Sequence, residues 1–391
     1  MLYCDRRQIK KLLAKMFWIF LFSFLMFSLV WGQEKPKEKI LKSAEGKVMN
    51  LLYSQMALTA KLIGPVIDEK EWFNWCVSPI IGKDQKIHIF SGRWPKGDGM
   101  EGWRRKNAEI AHFVADRPEG PFKYVKTILK SDMLADSLTM IAPCNPRLEY
   151  VDGKYILLYI CQNPSKPKYM RIGMMTADEL DGPWSFAGNN DGIILDASSD
   201  PSEWTYYAKT GVNNPAFLKI KGKYYVYFNC STQPHVKVRN NYGYAVADKL
   251  EGPYKLYNAP ITDNISYIED AQAFMVDGKY YLLTTDNFGR NTGAYGNLIL
   301  WKSNDGLQFK LKDAKIAMGT LFDYWGTEAD RAKLMKTPNL FVRSASGKLE
   351  RPAVLKINGK PAYLYAVGDV NLEGGSVSQP YVFKIEWDDN K

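Results

Sequence analysis

An all-β fold, a five-bladed β-propeller with a short N-terminal helix, follows from three features of the 391-residue sequence. Five segments share one pattern of a polar start, an alternating apolar run, a tight turn and a Tyr-rich apolar run. They are SPIIGKDQKIHIF (78–90), NPRLEYVDGKYILLY (145–159), NPAFLKIKGKYYVYF (214–228), DAQAFMVDGKYYLLT (270–284) and RPAVLKINGKPAYLY (351–365). Four further segments (110–125, 172–187, 242–257 and 298–311) follow them, each turning at a Gly, three times as Gly-Pro before an aromatic. The unit recurs at intervals of roughly 57–80 residues, the signature of a four-stranded propeller blade.

Along the chain, Arg6, Arg7, Lys10, Lys11 and Lys15 precede an apolar run from Met16 to Trp31, ending in Val30-Trp31-Gly32. This order predicts a signal peptide over 1–32 and export to the periplasm or beyond. The run is short for a spanning helix, so no stable membrane span is expected once it is removed. Residues 33–69 read as a linker and a helix around Ala44–Leu62, and 70–391 as the propeller. In each blade the first two strands, A and B, meet at a two-residue turn such as Asp152-Gly153, Lys221-Gly222, Asp277-Gly278 or Asn358-Gly359. Strands C and D form the second hairpin. YVFKIEW (381–387) would finish the fifth blade, and a strand near Lys61–Val66 would complete the ring. The short A–B and C–D turns then lie at one end, and the longer B–C and D–A loops build one functional face at the other.

Composition narrows the function. With 46% hydrophobic residues and only 24% charged, the chain is not disordered. Its formal charge of +10 falls to about +6 when the signal peptide takes away five basic residues and one acidic one. The remaining charge is spread without basic blocks, which argues against a nucleic-acid partner. Four cysteines outside that segment are too few for a disulfide scaffold, and no Cys/His cluster suggests zinc. No Gly-rich phosphate loop precedes a helix, so neither a nucleotide nor another cofactor is expected. The 11 Trp, 24 Tyr and 18 Phe supply flat faces of the kind that meet sugar rings.

Aligning the five A strands on their turns puts Ser78, Asn145, Asn214, Asp270 and Arg351 in register at the funnel mouth. Val77, Cys144, Asn213, Glu269 and Glu350 lie one residue earlier. A ring of polar residues there is costly to bury without purpose. The same arithmetic sets Cys144 opposite Cys161 and Cys230 opposite Asn213, leaving both a Cys144–Cys161 disulfide and two free thiols open.

The runs WCVSPIIGKDQKIHIFSGRWP, NAEIAHFVADRPEGPF, IEDAQAFMVDGKYYLLTTDNFG and ERPAVL, over roughly residues 70–390, carry a resemblance. The chain resembles exported bacterial five-bladed propeller glycosidases related to glycoside hydrolase family 43, the sucrase-like or glycosidase-like group. That resemblance implies a hydrolase cleaving a glycosidic bond in a plant, algal or host polysaccharide or oligosaccharide, usually at a chain end. A structural calcium ion occurs in the funnel of such propellers, although no ligand motif here demands one. The family places Asp, Asp and Glu at the starts of blades one, two and three as base, pKa modulator and acid. Here those positions are Ser78, Asn145 and Asn214, so the roles do not carry over.

Glycoside hydrolysis needs two carboxyls flanking the bond, one protonated and one ionised. Asp270 holds the registered position and is the favoured catalytic residue, with Glu350 or Asp136 across from it. Glu269, Asp286 and Glu109 are further acids on this face. Strand alternation sends Glu269 and Asp270 to opposite sides. Each carboxylate also has a structural reading, with Glu350 pairing Arg351, Asp286 pairing Arg290 and Glu109 pairing a neighbouring blade's arginine. Arg93, Arg351 and Arg290 are placed to meet an anionic sugar, Trp75, Trp94 and Trp103 to stack on one, and Asn145 and Asn214 to bond its hydroxyls. His112 reads as structural. A non-catalytic glycan-binding propeller is the alternative, favoured by the missing acidic triad.

Overall fold

The computed structural model describes residues 41–42, 48–49, 51–136, 140–166, 168–188, 191–206, 208–231, 240–325, 347–372 and 375–388. The expected signal peptide lies outside them. Five antiparallel sheets follow one another around a ring. Blade one is Trp72–Ile81, Ile87–Pro95, Glu109–Ala115 and Lys123–Lys130, and blade two begins with Ile141–Val151, Lys154–Gln162 and Met170–Ala177. Blade three begins with Asn213–Ile220, Lys223–Ser231 and Asn240–Ala247, and blade four with Ile268–Val276, Lys279–Asp286 and Leu298–Ser303. Blade five takes Leu349–Ile357, Lys360–Leu372 and Gly375–Lys384 from the end of the chain and Lys61–Pro65 from near its start. Tyr381 pairs with Pro65 and Lys384 with Lys61, closing the ring where the sequence places the closing strand.

Local chemistry explains the hairpins. In all four Xaa-Gly turns both central residues have positive φ, as at Asp152 (51°) and Gly153 (82°), which matches the right-handed twist of the flanking strands. Blade one instead turns through Gly82–Lys86, where Gly82 N–H donates to the Lys86 carbonyl at 2.9 Å. The Gly-Pro turns deliver aromatics to the seams between blades. Phe122 meets Tyr365 of blade five at 6.4 Å, and Trp184 meets Phe90 of blade one at 5.6 Å. Five apolar clusters fill the five seams, and that between blades one and two holds Phe90, Leu129, Leu157 and Tyr159. Much of the aromatic surplus is therefore core.

Two elements differ from expectation. The helix spans only Gln55–Thr59, capped by Ser54, whose hydroxyl accepts from Ala57 N–H at 3.2 Å. The rest of the apolar pattern is used otherwise, because Lys61–Pro65 gains more by pairing with the open edge of blade five. In blade four the fourth strand is Lys315–Met318, whereas the turn after Ser303 leads Phe309 to a lone bridge with Thr262.

Each inner strand carries a bulge at the funnel mouth, where two residues oppose one on its neighbour. The first bulged residue is left-handed every time: Cys76 (φ 59°), Asn145 (52°), Asn214 (49°), Asp270 (68°) and Arg351 (56°). Asn and Asp tolerate this region, but Cys and Arg rarely adopt it, and such strain gathers at functional sites. The bulge corrects the turn-based alignment in blade one. Ser78-Pro79 imitates Asn145-Pro146, yet the equivalent of Asn145 is Cys76. Ser78 instead ties blades one and two by accepting from Leu148 N–H at 2.9 Å. Bulges also slip the cysteine register, so Cys144 faces Ile160 and Asn213 faces Asn229. Cys76, Cys144, Cys161 and Cys230 are all free and buried.

Candidate active site

At the funnel mouth a cavity of about 250 Å³ opens among residues of several blades. B–C loops supply Trp103, Arg104, Lys168 and Asn287, and D–A loops supply Thr210 and Tyr267, so both loop sets share this face. Strand ends add Asn145, Asn213, Asn214, Asn229, Glu269 and Arg351. Of the residues assigned from sequence, Glu269, Asn145, Asn214, Arg351 and Trp103 are brought together here.

The floor is one hydrogen-bonded unit. Arg351 Nη1 is ion-paired with Asp270 Oδ1 and donates to Asn214 Oδ1 at 2.5 Å. The Asn145 amide donates to the same Asn214 oxygen at 2.7 Å, and Thr285 Oγ1 donates to Asp270 Oδ2 at 2.8 Å. Burial alone would lower the Arg351 pKa, but Asp270 together with Cys76, Glu269 and Cys144 outweighs it and holds the guanidinium above its ordinary value. Beneath, Arg147 crosses the ring. Its Nε donates to the Ala271 carbonyl at 2.9 Å and its Nη2 to the Asp270 and Pro352 carbonyls at 3.2 and 3.1 Å.

Because of the bulge, simple alternation does not describe Glu269 and Asp270. Asp270 is sealed behind Arg351, its side chain 0% exposed, while Glu269 lines the cavity. Glu269 is the only carboxylate lining it among the described residues. Burial, then the neighbouring charge of Asp270, pushes the Glu269 pKa up to about 7 against the pull of Arg351, Lys348 and Arg104. Of these two adjacent acids, Asp270 is fixed in an ion pair, while Glu269 is ready to hold a proton at neutrality. Glu350, at the equivalent position of blade five, is ion-paired with Lys348 rather than Arg351. Lys348 in turn donates to Asn287 Oδ1 at 2.5 Å, linking this pair to the cavity wall.

Several assigned residues lie elsewhere. Arg93 Nε donates to Glu109 Oε1 at 2.8 Å and its Nη1 to Glu69 Oε1 at 2.6 Å, while Trp72 and Tyr124 cover its guanidinium at 4.3 and 4.2 Å. Glu109 thus pairs within its own blade. Replacing Arg93 with Met leaves the buried Glu109 and the half-buried Glu69 without their counter-charge and is expected to cost about 3–5 kcal/mol in denaturant unfolding, with glycan binding unchanged. Trp94 is 1% exposed, donates to the Gly99 carbonyl at 2.9 Å and packs on Trp75 at 6.1 Å, so neither ring lines the cavity. Asp286 accepts from Asn291 and Thr292 at 2.8–3.0 Å, pinning its own loop, and Arg290 is exposed. Asp136 offers its carbonyl to Met140 N–H at 2.9 Å and does not line the cavity. His112 is buried beside His88, with 2.8 Å between ring nitrogens, and burial followed by His88 lowers its pKa to about 4.

No protein-family model matches the chain, and no curated protein matches it. Solved structures do. Zg3597, a family 117 glycoside hydrolase from the marine bacterium Zobellia galactanivorans, is 15% identical, with a TM-score of 0.58 over 85% of this chain and 91% of that one. A glycoside hydrolase at 12% identity gives 0.60 over 84% and 92%. The GH43_1 enzyme from Xanthomonas citri complexed with xylotriose, at 13% identity, gives 0.54 over 84% and 92%. The likeness is one of fold. It puts this chain beside five-bladed propellers of glycoside hydrolase families 43 and 117, the architecture the repeat predicts.

Residues invisible to the repeat complete the site. Arg104, Lys168, Thr210 and Tyr267 lie in loops of unequal length, and the only signal for them was membership of the long-loop face. Asn229 is fully buried, lines the cavity and has an Oδ1 with no hydrogen-bond partner among the described residues.

Proposed function

We propose that the protein is an exported glycoside hydrolase that removes a terminal sugar from an oligosaccharide by carboxylate acid/base chemistry. Glu269 carries the reading: a carboxyl with a pKa of about 7, in a funnel-mouth cavity, on a fold shared with glycoside hydrolases. Such a group is well matched to protonating a leaving glycosidic oxygen near neutral pH. Asp270, ion-paired with Arg351 and accepting from Thr285, is assigned the role of keeping Glu269 protonated. Glu350, the blade-five counterpart of Glu269, does not line the cavity and is ion-paired with Lys348, and it is the candidate for the second carboxylate that the reaction needs. Asn145, Asn214 and Asn229 offer amides to sugar hydroxyls, and Trp103 an aromatic wall. A cavity floored by Arg351, with Arg147 crossing the ring beneath, suits a chain end better than the middle of a polymer. Export rests on the charged and apolar run over 1–32.

A panel of neutral, uronic and sulfated oligosaccharides tests the reading through released sugar. Turnover of at least one, abolished by Glu269→Gln, is the expected result, and a folded protein that releases sugar from none contradicts it. The single cavity-lining carboxylate favours a second reading, a glycan-binding propeller without turnover. Binding that persists with no release would select it.

A further inference from the structure

The charges around the cavity are unequal. Glu269 is its only lining carboxylate among the described residues, against Arg104, Lys168 and Arg351. Arg351 is matched by Asp270 in the floor. Arg104 and Lys168 are not matched in this way, and they come from the corresponding B–C loops of adjacent blades.

One buried side chain holds both. Gln162, 9% exposed, donates from Nε2 to the Arg104 carbonyl at 3.3 Å and accepts from Lys168 N–H at Oε1, also at 3.3 Å. The Gln162 amide therefore fixes the two loops to one point. Lys168 adopts a left-handed φ of 68° in this arrangement, and among the described residues no acid is paired with its exposed ammonium. The Arg104 guanidinium stands over the Trp103 ring at 4.2 Å. Its Nη1 meets Glu101 Oε2 at 3.1 Å, on a side chain 62% exposed, but its Nε is buried with no hydrogen-bond partner. An unpartnered guanidinium N–H buried at a cavity wall is costly unless a ligand meets it, and a planar guanidinium favours an oxyanion.

We infer that the cavity recognises an anionic sugar, its carboxylate or sulfate held by Arg104 and Lys168 at the rim. This rests on the cavity being the glycan site proposed above. Asn145, Asn214 and Asn229 then meet the hydroxyls of the same ring, and the Gln162 amide sets the separation of the two cations. A uronic acid and a sulfated sugar present the same chemistry here, and the arms of the test separate them.

Binding of the full chain to an array of neutral, uronate, methyl-esterified uronate and sulfated oligosaccharides, followed by calorimetry on the hits, reads this without requiring turnover. The expected result is binding confined to the uronate or the sulfated arm, weakened by esterification if uronate, and falling with added salt. Arg104→Gln and Lys168→Gln should each weaken it by about tenfold or more. Lys168 is exposed, so Lys168→Glu serves as a second variant that keeps the fold intact, checked by an unchanged melting temperature. Equal binding of neutral glycans, binding to no arm, or an anionic preference that survives both substitutions overturns the inference. Anionic binding without release of sugar leaves it standing and removes the hydrolase reading. Release from neutral glycans, indifferent to Arg104 and Lys168, does the reverse.

Discussion

Glu269→Gln is expected to lower kcat/KM on any cleaved oligosaccharide by about 10²–10⁴-fold, the usual contribution of a positioned general acid. The amide keeps the shape of the protonated carboxyl but delivers no proton. The wild-type rate should fall as pH rises past about 7, because the proton is then lost from the group that must donate it. In the variant that alkaline limb should disappear from the residual activity. Stability gives a second readout. A carboxyl raised above its ordinary value binds its proton more tightly when folded, so its contribution is present at low pH and is lost as pH rises through 7. Glu269→Gln escapes that loss and should gain in melting temperature relative to the wild type above pH 7.

The second large effect concerns the floor. Asp270→Asn leaves the Arg351 guanidinium buried without its counter-charge, and losing one partner of a buried ion pair typically costs about 3–5 kcal/mol. Denaturant unfolding should register it. Asp270 also raises the Glu269 pKa, whereas Arg351 lowers it. Removing the anion alone should therefore move the alkaline limb of kcat/KM to lower pH. A merely structural Asp270 would cost stability without moving the limb.

Much of the fold was legible because its signals are local. Asp-Gly, Lys-Gly and Asn-Gly turns set positive φ at fixed places, and Tyr-rich alternation marks strands that are apolar on both faces. The closing strand was readable because four strands per unit left blade five one short. The fourth strand of blade four was misplaced because a Gly turn at Gly306 looks like a hairpin whether or not a strand follows. The site was legible only in part. Asn145, Asn214, Glu269, Asp270 and Arg351 are visible through the repeat, but bulges rather than alternation decide what each side chain faces. The bulges of the inner strands moved the blade-one position from Ser78 to Cys76 and exchanged the expected roles of Glu269 and Asp270 at the cavity. Arg93 and Glu109 looked functional as isolated charges, yet they complete each other. Arg104, Lys168 and Gln162 lie in loops without periodicity, so only three-dimensional contact joins them.

The most direct test is a crystal structure of the Glu269→Gln variant with an oligosaccharide that the wild type cleaves. The sugar at the scissile bond should lie in the funnel-mouth cavity, its glycosidic oxygen within about 3 Å of residue 269, the reach of a general acid, and its ring against Asn214 and Arg351. A glycan bound elsewhere on the propeller, or seated in the cavity with residue 269 out of reach of the glycosidic oxygen, would contradict the account.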